Sequence, residues 1–152
     1  MTIDSDLSAV ATLASATRGV FQAFDAEGAI ELELCLIEAV NNAIEHAYRN
    51  KAGHRVRVYI ATEQDEIVVA VLDNGTPMPS GALDAPTVVP EPDPLRPETL
   101  PERGMGLRLL KLVMDEVHYE TGGGVNRLVM RRQVRGETAM APPASLRRAS
   151  GQ

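Results

Sequence analysis

The chain has 152 residues, 44% of them hydrophobic, which suits one domain with a real core. A formal net charge of −6 argues against nucleic acid or an anionic membrane as the main partner, and 3% aromatic content without tryptophan points to an aliphatic interior. The single cysteine, Cys35, excludes an intrachain disulfide and a multi-cysteine zinc site, and fits a small packed residue. No apolar run approaches the ~20 residues of a membrane span. The start, MTIDSDLS, does not read as a secretory leader, so a reducing cytoplasm is the expected setting.

Asp4, Ser5 and Asp6 offer N-caps for a helix over residues 7–24, with Leu7, Val10, Ala11, Ala14, Val20 and Phe21 as its apolar positions. Residues 25–28 break it. The stretch ELCLIEAVNNAIEHAY, residues 33–48, then predicts an amphipathic helix. At about 100° per residue its core arc carries Leu32, Leu36, Ile37, Ala39, Val40, Ala43, Ile44, Ala47 and Tyr48. The other face gathers Glu31, Glu38, Asn41, Asn42, Glu45 and Arg49, with His46 at its margin. Asparagine competes with the helix backbone for hydrogen bonds, so an adjacent pair is a poor choice for a face that is merely solvated.

Asn50-Lys51-Ala52-Gly53 stops the helix. Val56, Val58 and Ile60 alternate with Arg55, Arg57 and Tyr59, predicting a half-buried strand. A turn at residues 63–66 leads into a near-continuous apolar strand over 67–72. Residues 76–103 hold eight of the ten prolines and keep neither period. A segment that long without structure of its own needs a reason, and a lid over a ligand is one. A helix over 104–115, a strand near 116–120, a Gly122-Gly123-Gly124 turn and a strand over 126–134 follow. The tail, 135–152, which includes LRRAS, has nothing to pack and is expected to be disordered. One domain over residues 1–134 remains. This order predicts an α/β two-layer sandwich, a mixed, mostly antiparallel sheet covered by helices on one face.

The flanks of the lid carry chemistry. Asp73-Asn74-Gly75-Thr76-Pro77 ends a buried strand with a carboxylate and a glycine, although such a sequence also serves as an ordinary turn. Arg103-Gly104-Met105-Gly106-Leu107 opens a helix whose free N–H groups favour an anion, although a flexible helix entry would look the same.

Taken together, EAVNNAIEHAY, DNGTP, the proline-rich segment and GMGLRLLKLVMDEVHYE with GGGVNRLVMRR resemble the GHKL superfamily of ATPases and kinases. Within it they resemble the anti-sigma-factor serine kinases of bacterial partner-switching systems, and the resemblance covers roughly residues 7–134. It implies ATP and Mg2+ as cofactors, with Glu38 as general base or as the group that positions the attacker, and Asn42 on the metal. Magnesium takes oxygen ligands and keeps several waters, so a carboxamide oxygen is a suitable contact. It further implies that Asp73 accepts from the adenine amine while Gly75 makes room for the ring. Gly104, Gly106 and the neighbouring amides of Met105 and Leu107 would cradle phosphates, with Arg103 as charge partner. His46 and Pro77 are carried over as further nucleotide-site positions, His46 for a hydrogen bond rather than catalysis. Pro77 stands where the wider superfamily has a second glycine.

The resemblance implies a protein-serine/threonine kinase acting on a STAS-domain anti-sigma-factor antagonist, binding a sigma factor or other regulator, and forming a homodimer. The net charge of −6 and the lack of a spanning apolar run leave no direct nucleic-acid or membrane partner expected. Two alternatives remain open: an ATP-dependent sequestering protein with little kinase turnover, and a detached histidine-kinase ATP-binding domain. The strand expected before the first helix is nearly absent, with only Thr2-Ile3 available.

Overall fold

Side chains on a strand alternate between faces, and here the alternation decides which side of the sheet is buried. In the structure, a computed structural model that describes residues 1–84 and 105–134, five strands form one sheet. They are β1 (Thr2–Asp4), β2 (Arg55–Glu63), β3 (Glu66–Asp73), β4 (Glu116–Gly122) and β5 (Val125–Gln133). Their order is β1-β2-β3-β5-β4, and every pairing among the described residues is antiparallel. The sheet is therefore simpler than the mixed one expected. Val56, Val58, Ile67, Val69, Val71, Leu128 and Met130 point into the core, while Arg55 and Tyr59 lie on the opposite, exposed side.

Three helices cover the inner face: α1 (Leu7–Phe24), α2 (Ala29–Asn42) and α3 (Met105–Val113). The Asp6 side chain caps α1 by accepting from the Ser8 N–H at 2.8 Å. Its core face is Val10, Leu13, Ala14, Thr17 and Phe21. Leu7, Ala11 and Val20, assigned to that face by periodicity, are exposed, because the buried stripe lies to one side of the predicted one. From α2, Leu32, Cys35, Leu36, Ala39 and Val40 join the same cluster, each full burial contributing roughly 1.5–3 kcal/mol for the larger side chains. Burial pushes the Cys35 thiol up to about 12, so it packs as a small apolar group.

The first strand, almost missing from the sequence pattern, is present. Thr2, Ile3 and Asp4 pair with Arg57, Val56 and Arg55 on β2. Three residues suffice because Ser5 anchors the strand end: its N–H donates to the His54 carbonyl at 2.9 Å and its hydroxyl to the Lys51 carbonyl at 2.6 Å. No helix among the described residues is long and apolar enough to cross a membrane. The tail, 135–152, lies outside the described residues.

The central position of β3 matters for function. Its last residue, Asp73, ends beneath the helix layer, opposite Asn126 of β5.

Candidate functional site

Between α2, the end of β3 and the start of α3 lies a cavity of about 800 Å3, a size usual for a small-molecule site. Its floor is apolar: Ala39, Ala43, Val71, Leu107 and Leu128. Its polar lining is Glu38, Asn42, Glu45, His46, Asn50 and Asp73, and Thr76, Pro77, Met78 and Tyr119 form a further wall. Of the residues expected at the site, Glu38, Asn42, His46, Asp73, Pro77, Gly106 and Leu107 line this one cavity. Gly75 adjoins it without lining it. Met105 opens α3, and Arg103 and Gly104 lie outside the described residues, as does 85–103 of the expected lid.

Directly after α2 the chain changes helix type, which the sequence did not disclose. Residues Ala43–Ala47 form a π-helical turn, in which the Tyr48 N–H donates to the Ala43 carbonyl at 3.0 Å. Such turns insert one extra residue and recur at functional sites. Arg49 and Asn50 follow in left-handed conformations, φ 53° and 59°, and Lys51 bonds the Tyr48 carbonyl. The Ala47 carbonyl is thereby free of a helix partner and accepts from the Thr76 N–H at 2.9 Å. That bond draws the DNGTP segment onto the end of α2.

The contact explains Gly75. A Cβ there would sit 2.5 Å from the Ala47 carbonyl oxygen, so no side chain fits. The requirement for glycine comes from this close backbone approach, where the resemblance had reserved the space for a ligand ring. Tyr48 supports the same corner: its hydroxyl accepts from the Asn74 N–H at 2.8 Å and donates to the Arg55 carbonyl at 2.9 Å. Beyond it, the Met78 N–H donates to the Tyr119 hydroxyl at 2.8 Å, and Lys111 of α3 donates to the Leu83 carbonyl at 2.6 Å. The first part of the 76–103 segment is thus pinned to β4 and α3.

Asp73 is 8% exposed. Its Oδ1 accepts from the Gly75 N–H at 2.8 Å and from Asn126 Nδ2 at 2.6 Å. Among the described residues Oδ2 receives no hydrogen bond. Asn126, only 2% exposed, was not singled out in the sequence. A signal existed: it sits two and four residues before the inward-facing Leu128 and Met130, and an inward asparagine in a strand demands partners.

Glu38 faces the first turn of α3. A Cβ added at Gly106 would collide with the Glu38 carboxylate, so glycine lets that carboxylate lie directly against the turn. Burial, and secondarily the negative charge of Glu45, raises the Glu38 carboxyl above its ordinary value of 4.5. Among the described residues, the buried amide nitrogen of Asn42, one turn further along, has no hydrogen-bond partner, and neither does the Asn41 carboxamide oxygen. An unsatisfied buried polar group costs about 1–3 kcal/mol, so a carboxamide left this way marks a place where a ligand is expected.

The raised Glu38 carboxyl gives a direct check. Because folding favours its protonated form, ionising it costs stability as pH climbs from 4.5 through the raised value. Glu45→Gln removes the smaller cause and leaves burial, so the Glu38 midpoint should move down without reaching the ordinary value. Carbon-detected NMR titration of the side-chain carboxyl measures it, and an unmoved or higher midpoint would contradict the assignment.

A helix layer on an antiparallel sheet thus encloses a cavity walled by the acidic and amide-rich face of α2, the strand-end Asp73 and the first turn of α3. Residues 3–132 match the family described as Histidine kinase-like ATPase domain, and the chain belongs to that family. It is similar to the serine-protein kinase RsbW of Bacillus licheniformis, 34% identical over 101 residues that cover 62% of this chain and 59% of the relative. It is also similar to the serine-protein kinase RsbW of Bacillus subtilis, 29% identical over 111 residues, covering 70% of this chain and 66% of the relative. An anti-sigma F factor of Clostridium beijerinckii is 27% identical over 104 residues, covering 67% and 69%. The matched stretch therefore spans about 59% to 66% of the length of these two kinases.

Proposed function

We propose that this chain is an ATP-dependent protein-serine/threonine kinase of the anti-sigma type. In this reading it binds a sigma factor or similar regulator and phosphorylates a STAS-domain antagonist. The observation that carries the proposal is the convergence of Glu38, Asn42, Asp73 and Gly106 on one cavity from three separate elements. The names of its relatives, serine-protein kinase and anti-sigma F factor, support the choice of partners. The homodimer implied by the resemblance belongs to the same proposal.

The residues present fit the nucleotide and its metal. Asp73 offers an acceptor to an exocyclic amine from the apolar end of the cavity. Asn42 would hold Mg2+ through its carboxamide oxygen, while its amide nitrogen, without a partner among the described residues, is a donor suited to a phosphate oxygen. Bound magnesium supplies neutralisation of phosphate charge. The N-terminal turn of α3 brings backbone N–H groups and the positive end of the helix toward the phosphates, with Arg103 and Gly104 proposed to extend that cradle. Glu38 would accept the proton of the attacking serine or threonine hydroxyl. Its raised carboxyl value brings its basicity closer to working pH than that of an ordinary glutamate. Phosphoryl transfer asks mainly for positioning and electrostatics, so no unusual nucleophile is needed.

Incubation with ATP labelled at the γ-phosphate and a candidate antagonist tests the proposal. Label on an antagonist serine or threonine, dependent on Mg2+, is the expected result. A stable complex with a sigma factor but no label on any antagonist would replace the kinase with the sequestering protein.

A further inference from the structure

Asp73 can direct only one of its oxygens at a ligand, and the structure contains a device that decides which. We infer that Asn126 is a positioning residue for base recognition, holding Asp73 so that the cavity selects a purine with an exocyclic amine at the position that meets it. The inference rests on the nucleotide-binding reading above and deepens it.

The hydrogen-bond pattern leaves the Asn126 amide one orientation. Its nitrogen meets two acceptors, Asp73 Oδ1 at 2.6 Å and the Gly75 carbonyl at 3.1 Å. Its oxygen meets the Thr121 hydroxyl at 3.0 Å, which is free to donate. Turned over, the amide would place its oxygen against a carboxylate and a carbonyl. The flip that usually leaves such groups ambiguous is thus excluded on chemical grounds. The register supports the same chain of contacts, because Thr121 lies opposite Asn126 and Asn126 opposite Asp73 across the adjacent strands β4, β5 and β3.

The consequence falls on Asp73. With Gly75 N–H and Asn126 Nδ2 both on Oδ1, that oxygen is occupied and the carboxylate plane is fixed. Oδ2 then presents an acceptor and no donor to the cavity. An adenine amine satisfies it. A guanine carbonyl at the same place would set oxygen against a carboxylate oxygen, leaving both unpaired in a desolvated pocket, and buried mismatches of this kind discriminate strongly. The Asn126 contact to the Gly75 carbonyl also ties the turn after Asp73 to β5, which keeps the acceptor from rotating away.

Calorimetric titration of wild type, Asn126→Ala and Thr121→Val with ATP and with GTP tests this, with thermal unfolding measured alongside. Wild type should prefer ATP. In Asn126→Ala, ATP affinity should fall on the order of tenfold while GTP affinity does not fall, so the selectivity ratio shrinks. Thr121→Val keeps the amide and its orientation but removes the donor to its oxygen, which loosens the hold of Asn126 on Asp73. It should lose part of the same ratio with a melting temperature near that of wild type, and it decides the matter if Asn126→Ala does not fold. A purely structural role would lower ATP and GTP affinity by one common factor, or lower only the melting temperature, and either result overturns the inference. Wild type that binds neither nucleotide overturns the nucleotide reading itself, whereas ATP binding with an unchanged ratio in both variants overturns only the role of Asn126.

Discussion

Asp73→Asn is expected to weaken ATP binding by on the order of 100-fold while leaving the fold intact. Two effects add. A hydrogen bond to a charged group contributes about 1.5–3 kcal/mol, and each 1.4 kcal/mol is a factor of ten in affinity. The replacement also turns the wrong way. Its carboxamide oxygen would take over the two donors that now converge on Oδ1, Gly75 N–H and Asn126 Nδ2, so its NH2 would face the cavity. Donor would then meet donor where the adenine amine should sit. The near-identical shape of Asn keeps the corner at Gly75 and Ala47 packed. Isothermal calorimetry on both proteins reads the difference, and equal affinities would remove Asp73 from base recognition.

Glu38→Ala should separate binding from chemistry. Proton transfer by a positioned base typically contributes 10²–10⁴-fold, so phosphoryl transfer to a serine or threonine should fall by roughly that much. ATP affinity should change only a few-fold, because the carboxylate is assigned no contact with the base or the metal. Glu38→Gln is the companion variant: it keeps the contact with Gly106 while removing the base, and should be equally slow. Transfer measured in a single turnover, beside calorimetry, distinguishes the cases. A variant that transfers at the wild-type rate would take the base role from Glu38, and one that loses binding and transfer together would make its role structural.

The helical and strand periods were strong enough in the sequence to place both long helices and the four longer strands, since each turns a regular apolar stripe toward the core, only partly buried in β4. The polar face of α2 was equally legible, because the adjacent Asn41-Asn42 pair is unusual on a surface helix and Asn42 stands one turn from Glu38. What lay hidden depended on partners distant in sequence. The π-helical turn at Ala43–Ala47 leaves the residue types unchanged; it is held by the Thr76 bond to Ala47, 29 positions away, which local propensity does not encode. Gly75 read as room for a ligand because the helix end that fills that space comes from another element. Asn126 was passed over because its meaning depends on facing Asp73 across 53 residues. The short β1 was underestimated since its stability comes from Ser5 and its pairing to β2, neither visible as an apolar pattern.

The most direct measurement is a crystal structure of the protein with Mg2+ and a non-hydrolysable ATP analogue. The expected density puts the exocyclic amine of adenine on Asp73 Oδ2, the metal against the Asn42 carboxamide oxygen, and the terminal phosphate between Glu38 and the first turn of α3. A nucleotide bound elsewhere, or with its base turned away from Asp73, would contradict the assignment of this cavity.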